Sequence, residues 1–229
     1  TWKSADIMEP EKLSKLRNAM DERTFRQEME GSFESFAGLA YYQWSEANVA
    51  RVANLYDRDA PLILCFDFNT APGVAAVCQE RGPGTLSLHA DQSPTGCTIV
   101  IGEVWIQQHS NTPIVCRRLL EDWRGHRGPV HCYGDATGGA KTTVAVDGSD
   151  WDIIERELRR VFGSRLSMRV ERSNPNERPR VNAMNSRIRT TAGKLQLFVD
   201  PVEAAHVAQD FERVETVAGT TGAIKKATP

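Results

Sequence analysis

The sequence predicts a mixed α/β domain in which an antiparallel sheet gains further strands through helical connections. Three observations predict it. Three extended apolar runs follow one another between residues 62 and 106, joined only by loops, which reads as an antiparallel meander. Runs of helical period then alternate with short apolar strands as far as residue 199, so the order is mixed rather than strictly doubly wound. Two of the strands end in an acid, Asp67 after Leu62-Ile63-Leu64-Cys65-Phe66 and Asp135 after Val130-His131-Cys132-Tyr133-Gly134.

Taken in order, Pro10 with Leu13, Leu16 and Met20 predicts a short helix with proline in its first turn. A second helix runs from Arg23 to Met29, where Gly31-Ser32-Phe33 interrupts it. The aromatic group Phe33, Phe36, Tyr41, Tyr42 and Trp44 suits packing onto a core, and residues 1–60 read as an arm laid over the domain. Strands follow at 62–68, 74–80 and 98–106; Pro61 bounds the first and Arg81-Gly82-Pro83-Gly84 turns the second. Thr112 as N-cap and Pro113 in the first turn open a helix carried by Val115, Leu119 and Trp123 and stopped by Gly125. After the Asp135 strand, Ser149 or Asp150 caps a helix with the apolar face Trp151, Ile154, Leu158, Val161 and Phe162. A strand at 166–170, a helix from Val181 to Ile188 and an extended piece at 195–199 come next. Asp200-Pro201-Val202-Glu203 has the form of a capping box, which predicts a helix beginning there.

Length and composition admit one full domain of 61–229 preceded by the arm, with 229 residues, 40% hydrophobic and 25% charged. Thr1 at the start and Lys225-Lys226-Ala227-Thr228-Pro229 at the end predict a piece of a longer chain. No apolar run reaches the roughly 18 residues that span a bilayer. Five cysteines without C-x-x-C spacing argue against a zinc site or a disulfide framework, and point to buried thiols in a reducing compartment. The net charge of -2 hides a local imbalance: Arg165, Arg169, Arg172, Arg178, Arg180, Arg187, Arg189 and Lys194 face only Glu171 and Glu177. Such a belt can track a phosphate backbone or form a solvated face, and its clustering beside a candidate phosphodiester-cleaving site favours the first.

A carboxylate at the end of a buried strand needs a partner: a metal ion, a lysine or a cluster of backbone amides. Two such carboxylates suit Mg²⁺ or Mn²⁺, which prefer oxygen ligands and in pairs activate water against a phosphodiester. Separately, Asp67 could cap a turn through Thr70, and Asp135 could support the Gly134–Gly139 loop. Glu103 lies within a strand, either as a supporting acid or facing solvent. Gly134 and Gly139 are spaced as in a phosphate-binding P-loop, but Ala140 displaces Lys141-Thr142 by one residue, which breaks the motif.

Phe66-Asp67-Phe68-Asn69, Tyr133-Gly134-Asp135-Ala136-Thr137-Gly138 and Arg180-Val181-Asn182-Ala183-Met184-Asn185 together resemble the C-terminal nuclease domain of the large terminase subunit of tailed bacteriophages. Gly193-Lys194-Leu195-Gln196-Leu197-Phe198-Val199-Asp200-Pro201 resembles it too, and Glu22 to Glu28 is similar to the connector that leaves the ATPase domain. The resemblance implies an RNase H-like fold and metal-dependent cleavage of concatemeric double-stranded DNA during genome packaging. It implies two Mg²⁺ or Mn²⁺ ions, with Asp67 and Asp135 as catalytic ligands and Asn69, Thr137 and Glu103 as supports behind them. DNA would be met by Arg172, Arg178, Arg180, Arg187, Arg189 and Lys194. Implied partners are double-stranded DNA, the terminase ATPase domain, the portal protein and the small terminase subunit, in the cytoplasm of an infected bacterium. The family's third acid is expected after Pro229, with Asp210 too early for it. Rival readings are a junction resolvase or transposase-type nuclease, an actin-like kinase and a catalytically silent DNA-binding module.

Overall fold

The structure, a computed structural model, describes residues 7–31, 38–50, 55–68, 71–82, 96–139, 148–217 and 223–225. Helices α1 (Pro10–Ala19) and α2 (Glu22–Met29) lead into a short strand β1 (Gly38–Leu39). The main sheet holds β2 (Leu62–Asp67), β3 (Gly73–Arg81), β4 (Cys97–Ile106), β5 (Val130–Gly134), β6 (Leu166–Met168) and β7 (Leu197–Val199). Helix α3 (Thr112–Trp123) connects β4 to β5, α4 (Asp150–Phe162) connects β5 to β6, and α5 (Glu177–Ile188) precedes β7. Helix α6 (Ala205–Arg213) and a short β8 (Glu215–Thr216), which pairs with β1, follow.

The six strands lie in the order β6-β5-β2-β3-β4-β7. Pairs β2–β3 and β3–β4 are antiparallel, while β5 joins β2 and β6 joins β5 in parallel. An antiparallel meander extended by parallel strands beside its first member is the RNase H-like arrangement. It follows from the connections: loops suffice between β2, β3 and β4, whereas parallel neighbours need the crossovers that α3 and α4 supply.

Strand alternation divides the core. Leu62, Leu64, Phe66, Val130 and Cys132 face α3 and α4, meeting Cys116, Leu119, Ile154 and Leu158. The opposite face of β3, β4 and β7 packs on Ile188, Ala204 and Phe211. Part of the arm belongs to this second layer. Trp44 stacks on Phe211 at 4.8 Å and Tyr41 meets the same ring edge-on at 5.0 Å. The buried Asn48 donates to the carbonyls of Ile188 and Leu197, and Asn185 donates to that of Ala40. Phe33 and Phe36 of the expected aromatic group lie outside the described residues.

Three helix starts differ from the sequence reading. Asn111, not Thr112, caps α3 by accepting from the Ile114 amide, while the Thr112 hydroxyl donates to Asp150 of α4. Helix α5 starts at Glu177, four residues before Val181, because Pro179 fits a first turn that needs no amide donor there. The capping-box pattern at Asp200 makes a turn instead: Asp200 Oδ1 accepts from the Val202 and Glu203 amides, and α6 begins only at Ala205.

Candidate active site

Strands β2 and β5 pair in parallel with Phe66 opposite Gly134, so the next residues, Asp67 and Asp135, leave the sheet together. Adjacent strands run about 4.8 Å apart, which sets the two acids side by side at one sheet end. The close approach beneath them depends on glycines. A Cβ at Gly134 would lie 2.4 Å from the Phe66 carbonyl oxygen, and one at Gly138 only 2.2 Å from the Phe68 ring. Trp151, at the start of α4, fills the space under both strand ends. Its ring meets Phe66 and Phe68 edge-on, and its Nε1 donates to the Asp135 carbonyl at 3.0 Å.

Asp135 is held by three donors on one oxygen. The amide and hydroxyl of Thr137 reach Oδ1 at 2.7 and 2.6 Å, and Asn174 Nδ2 reaches it at 2.6 Å. Asn174 Oδ1 in turn accepts from the Ala136 amide at 2.9 Å, which locks the loop after β6 to the loop after β5. These bonds, that of Asn174 first and with help from Arg180, hold the Asp135 carboxyl below its ordinary value, so it is a full anion at neutral pH. Among the described residues no bond is made to Oδ2. Asp67 sits exposed at the end of β2. Asn69, Thr70, Lys141 and Thr142 lie outside the described residues.

Asp67 also lines a groove of about 320 Å³ with Glu103, Trp105, His206 and Asp210. Glu103 neither points idly to solvent nor stands behind Asp135. Its Oε1 accepts from the His206 amide at 3.0 Å and its Oε2 from the Val207 amide at 2.9 Å, so it caps α6 from a distant strand. An anion at a helix N-terminus satisfies otherwise unpaired amides and opposes the helix dipole. The His206 ring bonds Glu103 through Nδ1 at 2.6 Å and stacks on Trp105 at 4.0 Å. Asp210, one turn further along α6, is pushed up by burial and then by the charge of Glu103. The family resemblance set Asp210 aside as too early in the chain, whereas the packing of α6 on β4 brings it to the groove that Asp67 lines. Among the described residues no three His, Cys, Asp or Glu side chains converge as a metal-binding group.

The members of the basic belt differ in what they touch. Arg187 is tied to Thr98 and Glu80, and Arg178 donates to Gln27 of α2. Arg172 and Arg180 are exposed, and Arg189 and Lys194 are half-buried near β7.

No family model matches the sequence, and no curated protein is detectably similar to it. Solved structures are. The large terminase of the thermophilic bacteriophage D6E, in a crystal with ATP-gamma-S, superposes with a TM-score of 0.61 over 95% of this chain at 9% identity. A second D6E crystal gives 0.55 over 96% at 10% identity. The fold is that of about half of a phage large terminase chain. The chain spans 48% of each of those D6E chains, about half their length. The large-terminase nuclease domain of bacteriophage SPP1 with bound Mn gives a TM-score of 0.40 over 79% of this chain and 80% of its own, at 14% identity, too loose a match to carry an argument.

Proposed function

We propose that the chain is the nuclease portion of a large terminase, a divalent-metal-dependent endonuclease acting on double-stranded DNA during phage genome packaging. The observation that carries this reading is the pair of acids leaving adjacent parallel strands in register, on a large-terminase fold. The donor set fits a hard cation: two carboxylates, one of them fixed and ionised with an oxygen not otherwise bonded among the described residues. Asp67 and Asp135 would hold Mg²⁺ or Mn²⁺, which supplies an activated water and charge at the leaving oxygen of a phosphodiester.

The other residues act by position. Thr137 and Asn174 fix the rotamer of Asp135, and Trp151 holds the two strand ends at a set separation. Among the described residues the candidate for a third carboxylate is Asp210, which shares the groove with Asp67. Residues 1–60 are then the arm from the ATPase domain, and portal protein and small subunit are the assembly partners. Plasmid nicking in Mn²⁺ by wild type and by Asp67→Asn and Asp135→Asn tests the reading. Loss in both variants with unchanged circular dichroism supports it; wild-type rates in either remove it.

A further inference from the structure

On β5 the residues between the buried Val130 and Cys132 and beyond them, His131 and Tyr133, point to the face away from α3 and α4. The chain leaving β6 continues the pairing, with the Arg169 amide donating to the Cys132 carbonyl at 2.8 Å, and this brings Arg169 beside both. Its Nη1 donates to the Tyr133 hydroxyl at 3.0 Å and its Nη2 lies 3.4 Å from His131 Nε2. Burial and the adjacent guanidinium lower the His131 pKa, which favours the neutral ring, and the tautomer protonated at Nδ1 leaves Nε2 to accept from Arg169. The guanidinium is therefore held by two uncharged groups. No carboxylate among the described residues pairs with it, in contrast to Arg118, Arg127, Arg159 and Arg187, each of which has an acidic partner.

A cation fixed by neutral acceptors keeps its full charge and its planar fork for an anion, the geometry that suits a phosphate oxygen pair. Arg169 is exposed. Tyr133 precedes Asp135 by two residues, about 6–7 Å along a strand, so the fork lies within a short reach of the two acids. We propose that Arg169, set by Tyr133 and His131, binds a backbone phosphodiester of DNA next to the one presented to Asp67 and Asp135. This rests on the nuclease reading for the identity of the ligand. Arg169 is a positioning contact, common to all sequences; a member of the basic belt by sequence, it lies beside β5 and not with the arginines of α5.

The test is fluorescence anisotropy with two duplexes of unrelated sequence, in EDTA, between about 50 and 200 mM salt. Arg169→Ala is expected to weaken binding to both duplexes alike and to reduce the slope of log affinity against log salt by about 1, the loss of one phosphate contact. An unchanged slope overturns the proposal. Arg169→Lys keeps the charge and serves should the alanine variant not fold. It is expected to keep the slope but bind several-fold more weakly, because an ammonium cannot present a fork, and wild-type affinity overturns the proposal. Binding read without metal separates the two claims. An Arg169-dependent slope in a protein that never nicks DNA leaves this site standing and removes the nuclease reading. Nicking by a protein whose slope ignores Arg169 does the reverse.

Discussion

At the end of β5 three donors converge on one oxygen of Asp135, and among the described residues the other oxygen is bonded to nothing. On β4 both oxygens of Glu103 are taken by the first amides of α6, with His206 sharing one of them. Both acids sit on apolar strands; the sequence reads Asp135, at a strand end, as a metal ligand and Glu103, within a strand, as a supporting or a solvent-facing acid. The fold separates them through what arrives from elsewhere in the chain: an asparagine loop at one, a helix N-terminus at the other. An acid in a buried strand therefore signals a cation only when no helix end already satisfies it.

The largest effect expected from this contrast is on cleavage. Asp135→Asn should lower Mn²⁺-dependent nicking by about 100-fold or more, as removal of a charge-stabilising group does, whereas Glu103→Gln should leave nicking per folded molecule near wild type. A comparable loss in both variants would erase the distinction. Asn174→Ala leaves the Asp135 carboxylate in place but unclamped, and should weaken Mn²⁺ affinity by about 10–100-fold. The check is a metal titration followed by calorimetry, with Asn174→Gln, which keeps an amide donor, as the conservative comparison. If the alanine variant titrates as wild type does, the clamp is irrelevant to the metal.

Stability should show the opposite ranking. Glu103→Ala removes the cap of α6 together with its charge-assisted bonds, and a loss of about 2 kcal/mol is expected in urea unfolding. Wild-type stability in that variant would mean α6 has another cap.

The smallest expected effect is on pH dependence, where Asp135 and the acid beside Glu103 differ in sign. Asp135 has a lowered folded pKa, so its contribution to stability is present above the ordinary carboxylate value and is lost as pH falls through the lowered one. Asp210, on the Glu103 side, has a raised folded pKa. Its contribution is present below the ordinary value and is lost as pH rises through the raised one. Asp210→Asn should therefore raise the melting temperature at pH 7 and leave it nearly unchanged at pH 3, and a fall at pH 7 would contradict the assignment.

What the sequence disclosed was local. The runs at 62–68 and 98–106 became β2 and β4 with ends shifted by one residue, because their apolar content and turn boundaries specify them without outside help. Ser149 caps α4 through a capping box that its own neighbours complete. What stayed hidden was long-range. Asn174 stands before Pro175 between the expected strand and helix, with no local pattern to mark it, and its bond to Asp135 spans 39 positions that the parallel pairing of β5 with β6 brings together. Parallel order offers the signal: loops leaving neighbouring parallel strands exit at the same end, so a polar residue after β6 can meet one after β5. Glu103 and α6 lie even further apart in the chain, and no pattern around Asp200 anticipates that the helix start is capped from β4.

The central claim is that Asp67 and Asp135 together hold the metal. Anomalous diffraction from a crystal soaked in Mn²⁺ measures this directly, because the ion's position identifies its ligands. A peak bound by Asp67 and by Asp135 Oδ2 is expected, lost in the Asp135→Asn variant. A strong peak on Asp210 and His206 with none at the two strand ends would contradict it.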